Sequence, residues 1–175
     1  PRLGGSNPPL SAFLVRYRFT AAVLFLVAIL CLLLHEALFL GKGLIPADGI
    51  FLFPPWGPAP KVAAANGLLA DQFLTFQPFR HFLHEQLWEG RFPLWNPLIN
   101  CGVPFLASMQ TAALFPINLA AAWLDPFEAA GFAAFFKLLL AGVFTLIYMR
   151  RLGVGAGPAA LSAAAYSLGG YMIVW

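Results

Sequence analysis

Long apolar runs alternate along this chain with stretches whose polar residues recur at helical spacing. Phe19 to Leu40 is almost wholly apolar. Its twenty-two residues, at ~1.5 Å each, reach about 33 Å, enough for a hydrocarbon core of ~30 Å. Ala129 to Met149 is a second such run, closed by Arg150 and Arg151, and Pro158 to Trp175 opens a third. The third is rich in Ala, Gly and Ser, which let membrane helices pack closely. Between the first two runs, Leu69, Phe73, Phe76, Phe79, Leu83 and Leu87 recur at three- and four-residue steps. Asp71, Thr75, Gln77, His81, His84 and Glu85 fall mostly on the other side. This pattern predicts an amphipathic helix over 66–89, suited to a membrane surface with its apolar face down. Pro78 should kink it and Gly90 should stop it.

Gly41 to Pro60 carries Gly, Pro and Trp56 without helical period, and reads as a loop or interfacial hairpin. Phe92 to Cys101, with Pro93, Trp95 and Pro97, reads as an ordered loop. Val103 to Leu124 is long enough to span. Gln110, Pro116 and Asn118 would need partners in lipid, however, which favours a broken interfacial or re-entrant helix. Charge supports that choice. If 103–124 does not cross, Ala129–Met149 runs from outside to inside and Arg150-Arg151 lies in the cytoplasm; if it does cross, the pair lands outside. Arg2, Arg16 and Arg18 likewise place the N-terminus inside.

The expected architecture is therefore all-α and polytopic, with a large extracytoplasmic first loop carrying amphipathic juxtamembrane helices. Residues 1–18 form a cytoplasmic tail and 19–40 a first transmembrane helix. Residues 41–128 are the extracytoplasmic loop, 129–149 a second span, 150–157 a cytoplasmic turn, and 158–175 the start of a third span. Because the chain begins with Pro1 and ends at Trp175 inside an apolar run, it is expected to be the N-terminal part of a longer protein, with further transmembrane helices following.

Composition agrees with a membrane setting. Of 175 residues, 61% are hydrophobic and 10% charged, against nearer half and a quarter in soluble domains. The net charge of +3 is spread out and forms no basic stripe, which argues against nucleic acid as a partner. Cys31 and Cys101 supply neither a disulfide framework nor metal-ligand spacing. The run at 19–40 is too long for a signal-peptide core and reads as a retained span.

A few polar residues invite chemistry. Lys137 sits near the middle of the second run, where a lysine costs roughly 2.5–3.5 kcal/mol on insertion scales. It calls for a carboxylate, a lipid phosphate or water, or else it snorkels. His35 and Glu36 either reach the interface or face a polar cavity. His81 and His84 can share a helix face, but the segment lacks the H-E-x-x-H zinc pattern and no metal site is assigned. No phosphate-cradling Gly-rich loop, nucleophile elbow or Rossmann fingerprint is present.

The polar stretch itself carries a resemblance. Asp71, Pro78-Phe79-Arg80 and Gly90-Arg91-Phe92-Pro93-Leu94-Trp95-Asn96-Pro97 resemble the YfhO family of bacterial multi-spanning membrane proteins. So do Gly102, Pro104-Phe105-Leu106-Ala107, Gln110 and Phe115-Pro116-Ile117-Asn118. Arg150-Arg151-Leu152-Gly153 and the run from Ala159 to Tyr171 look like that family's next two helices. The likeness covers about residues 65–175. One departure is Thr75, where members often carry Gln four residues after the Asp; here Gln stands at 72 and 77.

The resemblance implies a glycosyltransferase of the GT-C architecture in the bacterial cytoplasmic (inner) membrane. Such an enzyme takes sugar from a polyprenyl-phosphate donor on the extracytoplasmic face, amid membrane lipid. An acidic residue in its first outer loop acts as a base or holds a divalent cation. On that basis Asp71 is the candidate base, its alternative being a solvated acid. Arg80 and Arg91 can hold the phosphate leaving group or lipid headgroups. Trp95 and Asn96 can stack on and hydrogen-bond a sugar, although Trp95 also suits an interface anchor. Gln110 and Asn118 can meet substrate or tie the loop together, and Lys137 joins the substrate-binding candidates. A transporter or flippase of a lipid-linked molecule and a non-catalytic membrane assembly subunit are the rival readings.

Overall fold

A computed structural model describes residues 10–53, 55, 57, 69–170 and 172. The tail before Leu10, Trp56, the predicted helix start at 66–68, and Tyr171 and 173–175 of the third apolar run lie outside the described residues. The described chain is all-α apart from one two-stranded ladder. It divides into two compact units, one comprising the chain up to Leu33 and from Phe135 onward, the other Leu34–Ala134.

In the first unit, helix α1 (Leu10–Leu33) meets the second part of α5 (Pro126–Arg151) and α6 (Ala156–Ser167). Ala22 and Leu26 of α1, Leu146 of α5, and Ala159 and Ala163 of α6 form one buried cluster. The alanines bring the backbones close, which is the packing expected of a small-residue helix. Ser167 is buried in α6 and donates its hydroxyl to the Ala163 carbonyl at 2.9 Å, so it leaves no polar group unpaired.

Among the described residues, α5 is the one helix long and apolar enough to cross a membrane; the stretch Tyr17–Leu33 of α1 is apolar but shorter. The 26 residues of α5 extend about 39 Å, so both ends reach beyond a ~30 Å core. Its start is set by Asp125, whose Oδ1 accepts the Phe127 N–H at 2.9 Å, followed by Pro126 at the first helical position. Glu128 in the first turn and Arg150 and Arg151 in the last complement the helix dipole. Asp125→Ala should cost about 1 kcal/mol, read as roughly fivefold faster hydrogen exchange in the first turn of α5, while Asp125→Asn should behave as the parent does.

The first apolar run is divided. Helix α1 starts before the run and ends at Leu33, and a short α2 (His35–Phe39) follows. His35 and Glu36 are exposed there, and Glu36 accepts from Lys42 Nζ at 2.9 Å.

In the second unit, a 3-10 turn (Ala47–Leu52) lies against a π-helical segment (Gln72–Phe76) that runs into α3 (Gln77–Trp88). Pro78 explains the wider turn. Its ring would collide with the carbonyl four residues back. One extra residue in the turn avoids this, and the Gln77 N–H bonds the Gln72 carbonyl. The predicted kink therefore takes the form of a local change of helical register, and Thr75 lies inside it.

The buried face of α3 is made by Phe82 and Leu83, with Phe79 and Leu87 beside them. These residues do not lie open to lipid, as the periodicity suggested. Phe105, Leu106, Ala113 and Ala122 from the following loop cover them. The Phe105 ring meets Phe79 at 5.6 Å and Phe82 at 4.9 Å, both edge to face. The segment 103–124 holds no continuous helix. It consists of strand β2 (Val103–Pro104), a 3-10 turn (Met109–Thr111) and α4 (Pro116–Ala121). Pro116 sits at the first position of α4, where its missing N–H costs nothing. Ala121 packs on Ala129 and Ala133 in the first turns of α5, with Ile117, Leu124 and Phe132 alongside.

Candidate functional site

The region from Gly90 to Phe105 is a built hairpin. Helix α3 ends at Gly90, whose φ of 68° continues the chain in the left-handed region. The Gly90 N–H bonds Leu87 O at 3.0 Å and the Arg91 N–H bonds Gln86 O at 2.8 Å, a Schellman ending. This places Arg91 beside the helix end, with its Nε 3.4 Å from Gln86 Oε1 and a terminal nitrogen paired to Glu89. Arg91 and Glu89 are both exposed.

Strand β1 (Trp95–Asn96) then pairs antiparallel with β2, with Trp95 opposite Pro104 and Asn96 opposite Val103. Phe105 N bonds Leu94 O at 2.9 Å and extends the ladder toward α3. Asn96 is 1% exposed, and its Oδ1 accepts the Leu98 N–H at 2.9 Å. This local bond forms the turn that Pro97 enters. The far side of the hairpin is left-handed at Asn100, Cys101 and Gly102, with φ of 50°, 61° and 110°.

Gly102 is required for a second reason. A Cβ there would lie 2.6 Å from Trp95 Nε1. The indole thus rests on the glycine backbone while 55% of the residue stays exposed. Gly102→Ala should push Trp95 off this seat and cost about 1–3 kcal/mol. A lower unfolding midpoint and a changed Trp95 emission spectrum, read against a Trp95→Phe background, would check it.

The sequence-predicted residues are placed unequally. Asp71 is exposed at the start of the π segment and makes no hydrogen bond or ion pair among the described residues. Arg80 is half-buried on α3, with Nη1 3.3 Å from Gln77 Oε1. Burial lowers its pKa from the ordinary arginine value. The guanidinium stays charged at neutral pH, but it has given up water without a carboxylate partner among the described residues. Such a cation is disposed to take an anion.

Arg80 and Arg91 stand at opposite ends of α3, about 15 Å apart along its axis. Each side chain is tied to a nearby glutamine, so the two do not close on one phosphate together. Gln110 is exposed in the 3-10 turn after β2. Asn118 donates from Nδ2 to Ala112 O at 3.0 Å and ties the loop to α4. Lys137 is exposed on α5 and belongs to the other unit.

The histidines take structural partners. His84 Nδ1 lies 3.0 Å from Ala122 O and fixes α3 to the end of α4. His81 Nε2 lies 3.2 Å from Glu85 Oε1 one turn on. Among the described residues, no group of three or more metal-ligating side chains comes together. Sequence reasoning missed Asp125, and it named Gly102 without its role beneath Trp95. The run Asp125-Pro126-Phe127-Glu128 carries a helix-start signal that could have found the first, whereas nothing local points from Gly102 to Trp95. The chain matches no protein-family model, no curated protein and no solved structure.

Proposed function

We propose that this chain is the N-terminal part of a multi-pass glycosyltransferase of the bacterial inner membrane, similar to the YfhO family. It would transfer sugar from a polyprenyl-phosphate donor on the extracytoplasmic face. The observation that carries the reading is one continuous piece of chain. An ordered unit with an exposed acid, Asp71, and a poorly hydrated cation, Arg80, leads directly into a helix of membrane length. Transfer from a lipid-linked sugar phosphate calls for a base to take the acceptor hydroxyl's proton and a cation to meet the anionic leaving group, both beside a bilayer.

In this reading α5 runs inward and Arg150-Arg151 marks its cytoplasmic end. Asp71 takes the proton of the acceptor hydroxyl as that oxygen attacks the anomeric carbon, and the phosphate departs with the bonding electron pair. Arg80 stabilises the leaving group. Arg91, Trp95, Asn96 and Gln110 are the further substrate candidates, Asn96 chiefly by shaping the hairpin that carries Trp95. Asp71 is also the acid that would hold a divalent cation, if the reaction uses one.

Lys137 favours a second reading, a transporter or flippase of a lipid-linked substrate. It lies eleven residues into α5, about 17 Å along a helix of about 39 Å, and charge at mid-depth marks transport pathways. The test is transfer of labelled sugar from polyprenyl-phosphate donors by the full-length protein in membranes. Transfer supports the enzyme. Its absence across several donors in a folded, inserted protein overturns the enzyme in favour of transport or a non-catalytic assembly role.

A further inference from the structure

The second unit exposes an aromatic patch that the proposed chemistry does not use. The edge of Trp88, at the end of α3, meets Trp123, just past α4, at 5.9 Å. Both are more than half exposed. Ile117, Ala121 and Leu124 turn one face of the α4 segment onto the first turns of α5. Leu119 and Trp123 fall on the opposite face and are exposed, as is Phe127 in the first turn of α5. A soluble surface rarely gathers large apolar groups in this way.

We propose that Trp88, Leu119, Trp123 and Phe127 form a docking surface for the outer leaflet of the bilayer, seated where headgroups meet acyl chains. The inference rests on the reading of α5 as a membrane span. Three observations then select lipid as the occupant. The patch is continuous with α5, since Trp123 precedes its first residue by only three positions. Its depth follows from length. Because α5 outreaches a ~30 Å core by about 9 Å, its first turn lies at the interface, and α4 packs on Ala129 and Ala133 just below. The patch is also two-sided in polarity. Trp88 shares its helix face with His81 and Glu85, while Leu119 and Trp123 sit on a wholly apolar face. A tryptophan pair bridging a polar and an apolar edge is what the headgroup level favours.

The test is site-directed spin labelling of the full-length protein in lipid nanodiscs, with native cysteines replaced by serine. Leu119→Cys, Trp123→Cys and Phe127→Cys are labelled singly, and Phe144→Cys, exposed further along α5, reports the span itself. Collision with oxygen and with a water-soluble nickel chelate is compared with lipids labelled at the headgroup and along the acyl chain. The expected result is an oxygen-to-nickel ratio at 119, 123 and 127 several-fold above that of an aqueous label and close to the upper acyl-chain standard, with a deeper value at 144. Lipid-like values at 144 with aqueous values across the patch would overturn the docking surface and leave the span intact. Labels at the patch that neither reagent reaches would show a protein partner there and also overturn it. An aqueous value at 144 would remove the span, and the docking surface with it.

Discussion

Replacing Phe105 with alanine is expected to destabilise the Leu34–Ala134 unit by about 3–5 kcal/mol. Phe105 is 1% exposed and is the one ring that joins the two halves of its cluster. It shares that cluster with Ala113 and Ala122 of the loop and Leu83 of the helix, and its ring meets those of Phe79 and Phe82. The neighbours cannot collapse easily into the space, because the Phe105 N–H is fixed to Leu94 O and its carbonyl is 3.3 Å from Thr111 Oγ1. Most of the cavity would therefore remain. Phe105→Leu retains much of the volume and should lose less than half as much.

The loss should also be local. Amides of α3 and the hairpin should exchange faster, whereas those of α6, whose buried alanines belong to a separate cluster, should keep the parent rates. Equal acceleration in α6 would mean that the two units unfold as one, and unchanged α3 exchange would mean that Phe105 does not hold the helix in place.

What the sequence made legible follows from how each element is stabilised. Helix α5 and the body of α1 lie in apolar runs, and α3 repeats Phe79, Leu83 and Leu87 at the helical period, so pattern alone finds these helices, though not the start of α1 at Leu10 or the break after Leu33. Gly90 was readable as a stop because a left-handed residue after a helix is a glycine role. The hairpin was not readable. Strands of two residues carry no alternation to detect, and its turn depends on Asn96 bonding Leu98 and on Gly102 meeting Trp95. Amphipathicity also says which face of α3 is covered but not what covers it. The pattern suggested lipid, and the fold supplies Phe105. For the candidate site the same limit applies. Residue types pointed to Arg80 and Arg91, but only the path of α3 reveals that they stand at its two ends, each tied to its own glutamine, and do not close on one phosphate.

Asp71→Asn is the substitution with the largest expected effect on activity. It should lower transfer from a polyprenyl-phosphate donor by about 10²–10⁴-fold, the usual contribution of a positioned general base. Asparagine keeps the shape and hydrogen-bonding reach of the side chain and removes its capacity to accept a proton at neutral pH. Because Asp71 is exposed and bears no partner among the described residues, the exchange breaks no internal bond, and unfolding and membrane insertion should match the parent within about 0.5 kcal/mol. The separation of the two readouts is what identifies the role. Loss of rate with donor binding intact assigns the chemistry to this carboxylate. Loss of binding together with rate would instead make it a contact to substrate or to a cation, and added divalent metal would then shift the apparent affinity in the parent but not in the variant. Retained transfer would leave the glycosyltransferase reading standing without this base. Attention would move to Asp48, in the 3-10 turn that lies against the π-helical segment, and to Glu36, which pairs with Lys42.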